Sequence, residues 1–135
     1  FGFKTRHTGR EALRPDIVVS SEQEHYAGII DNKAYNEGYS LTHSQRNAMR
    51  TYIETFDDYR IDENPLEFFC YVVSEYKETI NHQLRQVAEL TGVSGSAITA
   101  RDVVRLVRSK VKPSHANFLE MFTSNRVIET LNLPA

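Results

Sequence analysis

Two short stretches carry side chains suited to hydrolytic chemistry: Pro15-Asp16, and Asp31-Asn32-Lys33. Along an extended strand, Asp31 and Lys33 share one face and Asn32 points to the other. If the chain turns back between Gln23 and Glu24, Asp16 falls directly across from Asp31. Facing carboxylates repel each other and call for a compensating cation. An all-oxygen site of this kind suits Mg²⁺, which takes one or two protein carboxylates and keeps several waters. A bound cation can polarise a phosphoryl oxygen and acidify a water. A lysine one strand step away can orient that water or stabilise charge developing on phosphate. Together these are the parts of a phosphodiester hydrolase. The same residues also fit a plainer arrangement, in which Lys33 pairs with Asp31 on a solvated strand face; residue types and spacing do not separate the two.

The elements that must hold these groups follow from local pattern. Residues 14–20 and 26–34 are β-branched or apolar runs separated by polar residues 21–25, a strand pair. After a loop containing Gly38, Ser44 is placed to cap a helix over 45–56, with Ala48, Met49, Tyr52, Ile53 and Phe56 as its apolar stripe. Residues 67–74 are apolar on both faces, which predicts a central strand. A helix over 77–91, with Ile80, Leu84, Val87 and Ala88 inward, stops at Gly92. A short strand at 96–99 and helices over 101–110 and 115–131, the second capped by Ser114, complete the order. Alternating strands and helices predict an α/β fold, a three-layer α/β/α sandwich around a mixed β-sheet.

At 135 residues, 40% hydrophobic and 25% charged, the chain suits one globular domain over 1–135. No apolar run approaches a membrane span, and no secretory signal is visible. The single cysteine, Cys70, lies in the apolar run 68–73 and reads as a buried free thiol, in keeping with a reducing, cytoplasmic setting. Histidines 7, 25, 43, 82 and 115 are scattered and make no zinc spacing. Net charge is −2, so the global field does not mark a polyanion binder. Local charge is more informative: Lys4, Arg6, Arg10 and Arg14 cluster at one end, and Arg101, Arg105, Arg108, Lys110 and Lys112 near the other. Either patch could follow a phosphate backbone.

Phe1-Gly2-Phe3-Lys4-Thr5-Arg6-His7, Arg14-Pro15-Asp16 and the continuous run from Gly28 through Asp31-Asn32-Lys33-Ala34-Tyr35 to Gly38-Tyr39-Ser40-Leu41 resemble the cleavage domains of FokI-like type IIS restriction endonucleases. These belong to the PD-(D/E)xK nuclease superfamily. The similarity resumes at Ser44-Gln45, Met49, Tyr52, Phe69 to Val73 and Gln83-Leu84-Arg85, and fades after about residue 100.

The resemblance implies a restriction-endonuclease-like fold and a Mg²⁺-dependent, site-specific deoxyribonuclease leaving 5′-phosphate and 3′-hydroxyl ends. It implies that Asp16, Asp31 and Lys33 are catalytic, and that Asp16, Asp31 and the carbonyl of Asn32 hold the metal. Lys4, Arg6, His7, Arg14 and Gln45 are then the expected contacts to double-stranded DNA. A separate recognition domain or subunit, N-terminal to Phe1, is expected to choose the sequence, in a prokaryotic cytoplasm. Relatives form a transient homodimer on DNA through the helix after the catalytic strand, using an acid and an arginine; the matching positions here are Asn47 and Thr51. Two other readings keep the same residues: a catalytically silent DNA-binding or assembly module, and a repair or transposition nuclease.

Overall fold

The computed structural model describes residues 1–9, 14–33, 41–77 and 79–130. Its centre is one six-stranded sheet whose spatial order equals the chain order. The strands are β1 (Lys4–His7), β2 (Ile17–Ser21), β3 (Tyr26–Lys33), β4 (Leu66–Val73), β5 (Ser94–Thr99) and β6 (Arg126–Val127). β2 runs antiparallel to both β1 and β3, and β3 to β6 run parallel. The β2–β3 register is the expected one: Ile17 faces Ile30 and Val18 faces Ile29. Regular pairing starts at Ile17, so Arg14, Pro15 and Asp16 precede the strand rather than open it. Pro15 has no N–H to give a ladder, which fits an end at that point. β4 lies in the middle of the sheet and is buried over most of its length, as its continuous apolar run predicts.

Helices cover both faces. α1 (His43–Glu54) and α2 (Thr79–Thr91) pack Met49, Ile80, Leu84 and Val87 against Val18, Ile29, Tyr71 and Ala97. α3 (Ala100–Arg108) and α4 (His115–Phe122) pack Leu106, Phe118 and Phe122 against Val19, Tyr26, Phe68 and Ile98 on the other face. The three-layer sandwich is therefore real. Two glycines let aromatic rings lie flat on neighbouring strands. A methyl group at Gly28 would sit 2.0 Å from the Phe68 ring, and one at Gly95 would sit 2.1 Å from Phe69. Neither position tolerates a side chain without displacing a core ring.

Several boundaries differ from the sequence expectation. The cap of α1 is Thr42, not Ser44: its hydroxyl accepts the Gln45 N–H while the Gln45 side chain accepts the Thr42 N–H. This reciprocal pair satisfies two otherwise orphaned donors. The helix expected over 115–131 ends at Phe122. Asn125 turns the chain with φ of 58°, and exchanges bonds with Gly95, donating its N–H to that residue's carbonyl and accepting its N–H on the side chain. Residues 126–127 are thereby delivered to the sheet as β6. β1 was not anticipated, because all four of its residues are exposed and show no apolar alternation. Ser114 does cap α4, and Gly92 closes α2 with φ of 75°. Cys70 is buried, and burial pushes its thiol up to about 12. Tyr35, Gly38, Tyr39 and the rest of the 34–40 stretch lie outside the described residues, as do Arg10 and Leu13.

Candidate active site

β3 brings Asp31 to the end of the sheet where the hairpin meets the parallel strands. Ala27, Ile29 and Asp31 alternate onto the face covered by α1 and α2, so Asp31 continues a core row and is only 3% exposed. Lys33, one step on, places its Nζ 2.9 Å from Asp31 Oδ2. Asp16 sits just ahead of the opposite strand β2, and its Oδ2 accepts the backbone N–H of Asn32 at 2.6 Å. Burial raises the pKa of the Asp31 carboxyl first; the Lys33 ammonium pulls it back, and the Asp16 carboxylate pushes it up again, for a net rise. The plain Lys33–Asp31 pair thus exists, but in a nearly buried setting beside a second acid rather than on a solvated face.

Neighbouring residues fix Asp16 in place. The Thr8 N–H donates to the Asp16 carbonyl at 3.0 Å and its hydroxyl to the Pro15 carbonyl at 2.6 Å. Gly9 presses on the carboxylate: a Cβ there would lie 2.6 Å from Asp16 Oδ1. Thr8 and Gly9 carry no sequence signal, since one hydroxyl and one glycine acquire meaning only through this contact.

Tyr59 is a third residue that the sequence does not advertise. It is buried behind the site and its hydroxyl donates to the Tyr52 carbonyl. Its own carbonyl accepts from Arg6 Nη1 at 3.0 Å, and the Arg14 guanidinium lies over its ring, 4.9 Å from the centroid. Arg6 and Arg14, eight residues apart in sequence, therefore converge on one tyrosine. His7, exposed at the end of β1, faces Ile17 and stands next to the Asp16 turn. Tyr71 is paired with Asp31 across β3 and β4 and donates its hydroxyl to the Gln45 carbonyl at 3.5 Å, so the first turn of α1 also borders the site. The Gln45 side chain is engaged in the cap. Lys4 is the exception. It sits at the far end of β1, about 10 Å along the strand from His7, and bonds Glu22 at 2.7 Å.

The loop bearing Tyr59 is tied down by Asp62. Burial alone would raise its carboxyl, but the Ser20 hydroxyl, the Asn64 N–H and Lys4 outweigh that and hold it below its ordinary value of 3.8. A group with a lowered folded pKa stabilises the fold above its unfolded pKa and loses that contribution as the pH falls through the folded value. Asp62→Asn is therefore expected to melt below wild type at neutral pH, with the two melting curves converging on acidification below pH 3.8. Thermal melts across that range check this; a constant gap would refute the linkage.

No three acid, histidine or cysteine side chains cluster among the described residues. From the described residues, a cation at Asp16 and Asp31 would add backbone oxygen and water to its shell. Two carboxylates forced together, one of them with a raised pKa, form a donor set that a hard divalent cation fits.

The chain matches the family model described as FokI, cleavage domain, over residues 1–129, beyond the point where sequence likeness fades to the eye. It is 25% identical over 118 residues to the type II restriction enzyme FokI of Planomicrobium okeanokoites, covering 77% of this chain and 20% of that protein. It is 28% identical over 108 residues to the type II restriction enzyme StsI of Streptococcus sanguinis, covering 72% of this chain and 17% of that one. The chain thus spans about a fifth of the curated relatives it matches. The solved structure of restriction endonuclease FokI superposes with a TM-score of 0.78 at 20% identity, over 95% of this chain and 25% of that one. FokI bound to DNA gives 0.77, over 94% and 25%. With its sheet, its helical layers and the full length of its sequence in agreement, the chain belongs to the FokI cleavage-domain family of type II restriction endonucleases.

Proposed function

We propose that the chain is the DNA-cleaving domain of a type IIS restriction endonuclease, hydrolysing phosphodiester bonds of double-stranded DNA with Mg²⁺. The observation that carries this reading is the convergence of Asp16, Asp31 and Lys33 at one end of β3 in a chain of this family. Asp16, Asp31 and the Asn32 carbonyl would hold the metal. When bound, the ion polarises the scissile phosphate and acidifies a water. Lys33, held at Asp31, would orient an attacking water towards phosphorus and stabilise the charge that builds on the phosphoryl oxygens. The new bond joins water oxygen to phosphorus; the bond to the 3′-oxygen breaks and that oxygen takes a proton, leaving 5′-phosphate and 3′-hydroxyl ends. Arg6 and Arg14, held by Tyr59, together with His7 and Gln45, grip neighbouring phosphates. Lys4 contributes only more distantly, given its place along β1.

No residue set among the described residues resembles a base-reading helix, and the relatives are about four times as long as this chain. A separate recognition domain or subunit therefore selects the site. Both named relatives are bacterial, and a bacterial cytoplasm suits the buried free thiol. Among the described residues no helix is long and apolar enough to cross a membrane.

The direct test is nicking of supercoiled plasmid. Nicking is expected with Mg²⁺, to cease when EDTA removes the ion, and to return when Mg²⁺ is restored. Intact plasmid across a full Mg²⁺ series would overturn the reading.

A double-strand break needs two such sites or two visits. On α1, Arg50 already pairs with Glu54 at 3.0 Å, and Arg46 donates to Gln86 at 2.9 Å. Asn47 and Thr51 supply no charge pair. A two-fold contact through this helix must be self-complementary, and little here offers that. The free chain is expected to sediment as a monomer at micromolar concentration, pairing transiently only on DNA. A salt-insensitive dimer at equilibrium would contradict this account.

A further inference from the structure

We propose that the outer face of α3 is a second, sequence-independent docking surface for the backbone of duplex DNA, outside the cleaved position. Arg101, Arg105 and Arg108 stand at i, i+4 and i+7 and so share one helix face. They span about 10 Å along the axis and line a shallow concavity with Val104 and Ser109. The opposite face carries Leu106, buried in the core, with Val103 packed beside it. α3 contains one acid, Asp102, which Arg105 bonds at 3.1 Å and the Thr130 hydroxyl at 2.8 Å. Arg101, Arg108 and Lys110 are exposed and meet no partner among the described residues. Lys112 is different: it is drawn into the C-terminal carbonyls of the helix at Leu106, Val107 and Ser109.

Arg101 and Arg108, on either side of the neutralised Arg105, leave two guanidinium groups on one helix face with no acid to answer them, on a chain of net charge −2. Its position favours DNA. Lys33, Val73 and Thr99 lie in register across β3, β4 and β5. α3 therefore starts about 10 Å from the Lys33 backbone, two strand spacings away at the same end of the sheet. It lies on the face opposite Asp31, so it belongs to a separate surface that flanks the cut. The exposed Val104, Val107 and Val111 would instead suit a protein partner, and the experiment separates the two.

The proposal takes its ligand from the DNA-cleaving reading, but its test needs no cutting. Binding of the chain to a long fluorescent duplex is measured by anisotropy in EDTA over a salt series. Arg101→Gln with Arg108→Gln leaves the Arg105–Asp102 pair and the helix propensity intact. The double variant is expected to bind roughly tenfold or more weakly, with the slope of log K against log salt reduced by about 2, one for each lost phosphate contact. Arg101→Lys with Arg108→Lys should restore most of the binding, and plasmid nicking at saturating DNA should be unchanged in both. Unaltered affinity and slope in the Gln variant would overturn the proposal. So would unaltered DNA binding accompanied by a loss of self-association in sedimentation, which would make the face a protein interface. If wild type binds with this α3-dependent slope but never nicks with Mg²⁺, the nuclease reading falls and the docking surface stands.

Discussion

Asp16→Asn and Asp31→Asn each abolish Mg²⁺-dependent nicking, by roughly a thousandfold or more if cation and water activation are both lost. The two variants should nevertheless differ in stability. Asp16→Asn keeps an oxygen for the Asn32 N–H while removing one of two repelling charges. Its metal-free melting temperature should equal or exceed wild type. Asp31→Asn relieves the same repulsion but takes the carboxylate away from Lys33, whose side chain is only 16% exposed, so its melting temperature should lie below that of Asp16→Asn. Plasmid assays over a Mg²⁺ series, run beside thermal melts in EDTA, read both effects. Wild-type nicking in either variant would remove that residue from the site. Equal destabilisation by both would mean that repulsion between the acids is not what the structure implies.

Lys33→Ala is expected to lower turnover about 10²- to 10³-fold while leaving metal binding intact. The ammonium 2.9 Å from Asp31 is itself a cation at the carboxylate, so its removal eliminates a competitor for that oxygen. It also lifts the restraint that Lys33 places on the already raised Asp31 pKa. A proton should then compete better for Asp31, and Mg²⁺ affinity should fall more steeply with acidification than in wild type. Calorimetric Mg²⁺ titrations at neutral and mildly acidic pH test both statements. Loss of metal binding at all pH values would make Lys33 a structural support for the carboxylates rather than a participant in catalysis.

What was legible in the sequence had a local cause. The β2–β3 register follows from two apolar runs flanking a polar turn, because a slip of one residue would turn Val18 and Ile29 out of the core. β4 announces itself by continuous apolarity, and Ser114 and Gly92 by the termini they close. What could not be read depends on distant partners. Lys4 to His7 form a strand through backbone pairing with β2, with no buried face to leave a pattern. The early stop of α4 rests on Asn125 meeting Gly95, thirty residues earlier. The same holds within the site. Asp16, Asp31 and Lys33 stand out by type and spacing, whereas Thr8, Gly9 and Tyr59 matter through contacts no local window contains.

Because the strands lie in space in the order of the chain, the sheet can assemble progressively, with no strand inserted between two already paired. The β2–β3 hairpin has the shortest connection, residues 22–25, and so the smallest loop-closure entropy. It sets Asp16 beside Asp31, yet an isolated hairpin is only marginally stable. Joining β4 to β3 must first enclose α1 and everything else between Lys33 and Leu66, a far slower closure. Only that step lays Phe68 over Gly28 and sets Tyr71 beside Asp31. On a route of that kind the two acids would meet early and lose their water late. The repulsion between them is weak while the hairpin is still hydrated, and reaches full strength only once the rest of the sheet already holds them together.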